Sequence, residues 1–186
     1  DYRGEKLRAK LEEELKDGDV ACLIYSSPNN PAWFCFTETE LQIIGEMANK
    51  YGVVVLEDDA YFAMDFRKDY SKPGKAPFQP TVAKYTDNYV LMISGSKSFS
   101  YAGERIAMMV VSPALYNREC PDLARFYSQT QLGRAMIFGT LYCLSSGTAH
   151  SVQYAMAAML KGANDGTYDF VKDIHEYGEK AHIMKK

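Results

Sequence analysis

The sequence predicts an α/β chain: a mostly parallel sheet flanked by helices, its last strand antiparallel and followed by helices. Three observations predict it. The runs VACLIYSS (20–27), VVVLE (53–57) and YVLMIS (89–94) are apolar through their length, the mark of parallel strands covered on both faces. Between the first two lies a stretch of helical period, the usual crossover of a parallel sheet. A fourth run, IAMMVVS (106–112), follows the third after about eleven residues without helical period. That is short of the dozen or more that a parallel crossover uses, so the fourth strand is expected to be antiparallel.

The elements follow in order. Residues 4–17 carry Leu7, Leu11 and Leu15 at four-residue spacing, an amphipathic helix that Gly18 ends. The first strand closes on Pro28, Asn29, Asn30 and Pro31, a turn. Thr37 and Glu40 form a capping box, and Leu41, Ile44, Ala48 and Tyr51 share one face, so 38–51 is a helix ended by Gly52. The polar segment 67–80, with its prolines and glycine, reads as an exposed loop. Beyond Pro113 helices are expected at 114–127, 130–145, 149–161 and from 166 to the end. In the last, Phe170, Ile174, Tyr177, Ala181 and Met184 recur at spacings of four and three. The run Ser145–Thr148 between two helices is read as a helix N-cap, with a contribution to a partner's site as the alternative.

Bulk properties narrow the function. The 186 residues hold 21 basic and 24 acidic side chains, a net charge of −3, which gives no electrostatic reason for a nucleic-acid or membrane partner. Cys22, Cys35, Cys120 and Cys143 form no C-x-x-C pair, and the first three lie far in sequence from His150, His175 and His182. They read as reduced thiols, Cys22 within a buried strand, not as a metal site or disulfide framework. There is no signal-peptide pattern and no apolar run of bilayer length, so the expected setting is the cytoplasm. The chain starts on Asp1 and its last helix has no stop signal, which reads as a piece of a longer protein.

Ligands of an open parallel sheet bind beyond the carboxyl ends of its strands. After the first strand come Asn29 and Asn30; after the second Glu57, Asp58, Asp59 and Tyr61; after the third Ser94, Ser96, Lys97, Ser98 and then Arg105. Singly, each has an ordinary reading: a turn residue, a cap, packing, a solvated lysine, an ion-pair arginine. Together, on one rim, they make a site by composition. A nucleotide phosphate loop is excluded, since G-x-x-x-x-G-K-[ST] is absent, and so is G-x-G-x-x-G.

The set Asn30-Pro31, Asp58-Asp59-Ala60-Tyr61, Ser94-Gly95-Ser96-Lys97 and Arg105 resembles the class I/II pyridoxal-5′-phosphate enzymes of fold type I, the aspartate-aminotransferase-like family. The match is strong over about 20–112 and loose elsewhere. The resemblance implies a large domain of the pyridoxal-phosphate transferase type over 1–163, its N-terminal part missing, and a long helix, 164–186, leading to an absent small domain. It implies pyridoxal 5′-phosphate as cofactor and transfer of an amino group from an amino acid to a 2-oxo acid. Lys97 would form the Schiff base and move the α-proton. Asp58 would pair with the pyridine nitrogen, and Tyr61 and Asn30 with the phenolic oxygen. Arg105 would hold the phosphate with Ser94 and Ser96. It also implies a homodimer. Where the family has Asn-Pro-x-Gly, this chain has Trp33, its only tryptophan, read as packing or as an indole near the substrate mouth. A ligand-sensing regulatory domain, or a lyase, decarboxylase or synthase on the same scaffold, is the alternative.

Overall fold

The structure, a computed structural model, describes residues 2–68, 70 and 72–185. Its first half alternates α1 (Glu5–Leu15), β1 (Cys22–Ser26), α2 (Glu38–Tyr51) and β2 (Val54–Asp59); β3 (Tyr89–Ser94), α3 (Gly95–Ser98) and β4 (Ala107–Val111) follow. The four strands lie in the order β1-β2-β3-β4. β1, β2 and β3 are parallel, and β4 runs antiparallel to β3, as the short connection requires. No helix of the described residues is long and apolar enough to cross a membrane.

α2 forms where the capping box places it. Thr37 Oγ1 accepts from the Glu40 N–H while the Glu40 carboxylate accepts from the Thr37 N–H, and Gly52 ends the helix at φ 68°. Its apolar stripe, Leu41, Ile44 and Ala48, packs on Val55 and Leu91 of the sheet, and Ile43 and Met47 meet Leu15 of α1. Each such fully buried aliphatic side chain contributes roughly 1.5–3 kcal/mol.

β2 and β3 have no exposed residue, but β1 is not covered on both faces as expected. Edge strand β1 alternates: Leu23 turns inward, while Ile24 is 71% exposed and Cys22 is exposed rather than buried. β2 runs two residues further than its apolar run, taking Asp58 and Asp59 into the strand. Among the described residues the connection from β2 to β3 holds only a 3-10 turn, Val82–Lys84. The expected loop at 67–80 includes Asp69 and Ser71, outside the described residues; the rest is turns and bends.

The C-terminal half is more broken than its periodicity suggests. The helix expected at 114–127 splits into α4 (Pro113–Tyr116), a 3-10 turn (Pro121–Leu123) and α5 (Ala124–Tyr127). Pro121 has no N–H to continue a helix and restricts the residue before it. The stretch expected at 130–145 opens as α6 (Leu132–Arg134), widens into a π-helix (Ala135–Tyr142) and closes as α7 (Cys143–Ser145). There Gly139 lies so close to the Tyr127 ring that a β-carbon would collide with it. Ser145 accepts from the Gly147 N–H, and Ala149 caps α8 without a side-chain bond, so the run 145–148 is not the side-chain N-cap expected. α8 (His150–Asp165) outlasts its expected end at 161, stopping at Gly166 with φ 74°. α9 (Phe170–Met184) starts later than 166, where Asp169 Oδ1 accepts from the Val171 and Lys172 N–H groups. The expected end of that helix includes Lys186, outside the described residues.

α8 and α9 pack a second core at the carboxyl end of the sheet. Val152, Met156, Phe170, Val171 and Ile174 surround Met64, Phe99 and Ile106. A β-carbon on Gly95 would stand 2.5 Å from the Met156 methyl and 3.2 Å from Ile106, so a larger residue where the chain leaves β3 would displace Met156. The residues just after β3 are thereby fixed against α8.

Candidate active site

The turn after β1 is held by Asn29. Its Nδ2 donates to Ser26 Oγ at 2.8 Å, its Oδ1 accepts from the Ala32 N–H at 3.2 Å, and its backbone bonds to Trp33 and Phe34 close the loop. Asn30 is thereby aimed at the next strand's end, where its Nδ2 donates to the Tyr61 hydroxyl at 2.7 Å. The Ser27–Pro28 and Asn30–Pro31 bonds are both cis.

Strand alternation divides the carboxylates of β2. Asp58 lies level with Ser26 of β1 and Met92 of β3, and its Oδ1 accepts from the Ala60 N–H at 3.0 Å. Glu57 and Asp59, grouped with Asp58 in the sequence, fall on the opposite face, each 1% exposed. Glu57 accepts from the Val82 N–H at 2.8 Å. Glu57 also faces the buried Tyr25 hydroxyl, whereas both Asp59 oxygens are buried without a partner among the described residues. Burial pushes both carboxyls well above the usual carboxylate range, and Asp59 is pushed further by the Glu57 charge. These two belong to the core under α2, not to the rim.

Lys97 sits in α3. Ser94 caps this short helix, its hydroxyl accepting from the Ser96 N–H at 3.1 Å. The buried Ser98 hydroxyl donates to the Phe62 carbonyl, tying the lysine's turn to the segment after β2. Lys97 Nζ stands 5.9 Å from the centre of the Tyr61 ring. Among the described residues this amine has no carboxylate partner. Arg105, at φ 51°, closes a 3-10 turn and donates to the Ala102 carbonyl at 3.0 Å.

Lys97, Ser96 and Tyr61 open onto one cavity of about 590 Å³. Asn30 borders it through Tyr61; Asp58, Ser94 and Arg105 are not part of its wall. The far wall holds Trp33, for which a place near the substrate mouth is one of the two sequence readings, and residues that sequence reasoning missed: Met64 and Phe66, with Tyr177, Lys180, Ala181 and Met184 of α9. A signal for it exists. The apolar stripe of α9 starts in the core at Phe170 and Ile174 and continues past it at Tyr177, Ala181 and Met184. Burial and the nearby Asp65 carboxylate push the Cys35 thiol up to about 12, which disfavours its thiolate.

A primary amine, a phenol bonded to an amide, and the Ser96 hydroxyl therefore meet at one mouth, the equipment for holding a carbonyl-bearing group. Comparison with known proteins agrees. The profile of the family described as Aminotransferase class I and II matches residues 4–176. The chain is 35% identical over 123 residues to the LL-diaminopimelate aminotransferase of Chlamydia pneumoniae, covering 64% of this chain and 29% of that protein. It is 24% identical over 212 residues to a probable aspartate aminotransferase of Methanocaldococcus jannaschii, covering 98% of this chain and 50% of that one. The chain thus spans half or less of the length of these relatives. The solved N-succinyldiaminopimelate aminotransferase of Mycobacterium tuberculosis shares the fold, with a TM-score of 0.63 at 19% identity over 95% of this chain and 38% of that one. The chain belongs to the class I and II aminotransferase family.

Proposed function

We propose that this chain is the cofactor-holding portion of a pyridoxal-5′-phosphate-dependent aminotransferase. In this reading one amino acid leaves as its 2-oxo acid, and a second 2-oxo acid leaves as an amino acid. The observation that carries the reading is the Asn30–Tyr61 hydrogen bond of 2.7 Å beside the amine of Lys97, on a single cavity. The donor set on the cavity suits the group: an amine for an aldehyde, a phenol bonded to an amide for a phenolic oxygen, and the Ser96 hydroxyl for a phosphate, with Asp58, Ser94 and Arg105 beyond the cavity wall.

When bound, the cofactor supplies an electron sink for the charge left by removal of a proton next to nitrogen. Lys97 would be its covalent anchor, and Nζ of the same residue would take and return the α-proton of the amino acid. Asp58, oriented by the Ala60 N–H, would pair with the ring nitrogen. Asn30 and Tyr61 would bond the phenolic oxygen. Ser94, Ser96 and Arg105 would hold the phosphate. The division of the chain into a cofactor domain, 1–163, and a helix leading onward, 164–186, belongs to the same proposal. So do a second copy of the protein as partner and the cytoplasm as setting.

The test is a visible spectrum of the chain mixed with pyridoxal phosphate, beside Lys97→Ala, with borohydride reduction and peptide mass mapping. The wild-type chain is expected to turn yellow and to carry the reduced adduct on Lys97; the variant is expected to stay colourless. Colour that survives in the variant, or an adduct on another lysine, overturns the reading.

A further inference from the structure

Trp33 occupies a backbone conformation that suits glycine. Its φ is 47°, in the left-handed region that bulky residues rarely enter. Strain of this kind persists where the surroundings hold it, and it clusters at functional sites. Core burial is not what holds it here, since Trp33 is 47% exposed. Two rings at the cavity hold it instead. The indole meets Tyr61 edge-on, with centroids 5.8 Å apart and planes at 76°, and stacks on Phe66 at 6.2 Å and 27°. Phe66 in turn lies flat on α9 at Gly178, where a β-carbon would stand 3.0 Å from its ring.

The result is an aromatic wall shared with Met64 and Met184 across the cavity that also contains Lys97. The wall has no carboxylate. Its second cation, Lys180, is already paired with Glu176 at 2.6 Å. On this wall an aromatic ring would find an indole face and two thioethers.

The geometry points to an amino-acid substrate with an aromatic or large apolar side chain, received by the indole of Trp33. The proposal rests on the pyridoxal-phosphate reading above, and the experiment separates the two. Its probes are the reduced, unreactive conjugates of pyridoxal phosphate with L-phenylalanine, L-alanine and L-aspartate, titrated by calorimetry into the 186-residue chain. The phenylalanine conjugate is expected to bind about tenfold more tightly than the other two. Trp33→Phe is expected to keep that preference, and Trp33→Gly, which relieves the backbone, to reduce it to within about twofold. Circular dichroism confirms that each variant is folded, and Trp33→Leu serves as a second non-aromatic variant. Equal affinities in the wild-type chain, or a preference that Trp33→Gly and Trp33→Leu leave intact, overturn the inference and leave the cofactor reading standing. Failure of all three conjugates and of pyridoxal phosphate itself overturns both.

Discussion

Glu40 shows how one side chain joins a local signal to a distant one. The sequence reveals its part in the capping box, because Thr37 and Glu40 are three residues apart. Its pairing with Arg3, at 2.6 and 2.7 Å, spans too much chain to be read there. Burial alone would raise the Glu40 carboxyl, yet Arg3 and the Thr37 and Gly4 N–H groups outweigh it and hold the carboxyl at about 2. A carboxyl held below its unfolded value stabilises the fold above the unfolded pKa, and that contribution disappears as pH falls toward 2. Glu40→Gln is therefore expected to lose about 2–3 kcal/mol at pH 7 and to flatten the acid limb of stability. Urea unfolding at several pH values measures both. The two asparagines of the first turn show what composition hides. Asn29 builds the loop and Asn30 faces the site, and only the fold distinguishes them. Trp33 was legible as a departure from the family pattern, while its stacking on Phe66 needed the tertiary structure.

At the scale of the element, β2 carries opposite duties on its two faces. Asp58 faces the rim, while Glu57 and Asp59 are buried under α2, Asp59 with both oxygens unpartnered among the described residues. Both buried carboxyls are raised above their unfolded values, so the sign is opposite to that of Glu40. Their protonated forms favour the folded state, and stability is lost as pH rises from the ordinary carboxylate range, about 4, through neutrality. Asp59→Asn is expected to remove most of this slope and to exceed the wild type in stability by about 1–2 kcal/mol at alkaline pH. Thermal midpoints between acid and alkaline buffers are the measurement, and a wild-type midpoint that climbs over that range would contradict the assignment. The strands and α2 were legible because apolar runs and a capping box are local signals. The breaks after Tyr116 and the π-turn before Cys143 were not. They depend on Pro121 and on the approach of Gly139 to the Tyr127 ring, which periodicity does not encode.

For the whole molecule, the order β1-β2-β3-β4 places the three rim segments side by side, and this much was legible from the run of strands. The cavity wall was less so, since α9 reaches it only by folding back on the loop after β2. The open face of β1 also acts at this scale: an edge strand with an exposed aliphatic side chain invites pairing between molecules. Ile24→Lys is expected to raise several-fold the concentration at which this chain stays monomeric, read by sedimentation velocity. The connections between strands differ in another respect. β1 to β2 spans 27–53 and β2 to β3 spans 60–88, but β3 to β4 spans only 95–106. Loop closure costs least for the shortest span. The β3–β4 pair is therefore expected to zip up early in refolding and to outlast β1 when the sheet frays, so that the Lys97 amine travels on the most locally encoded part of the chain.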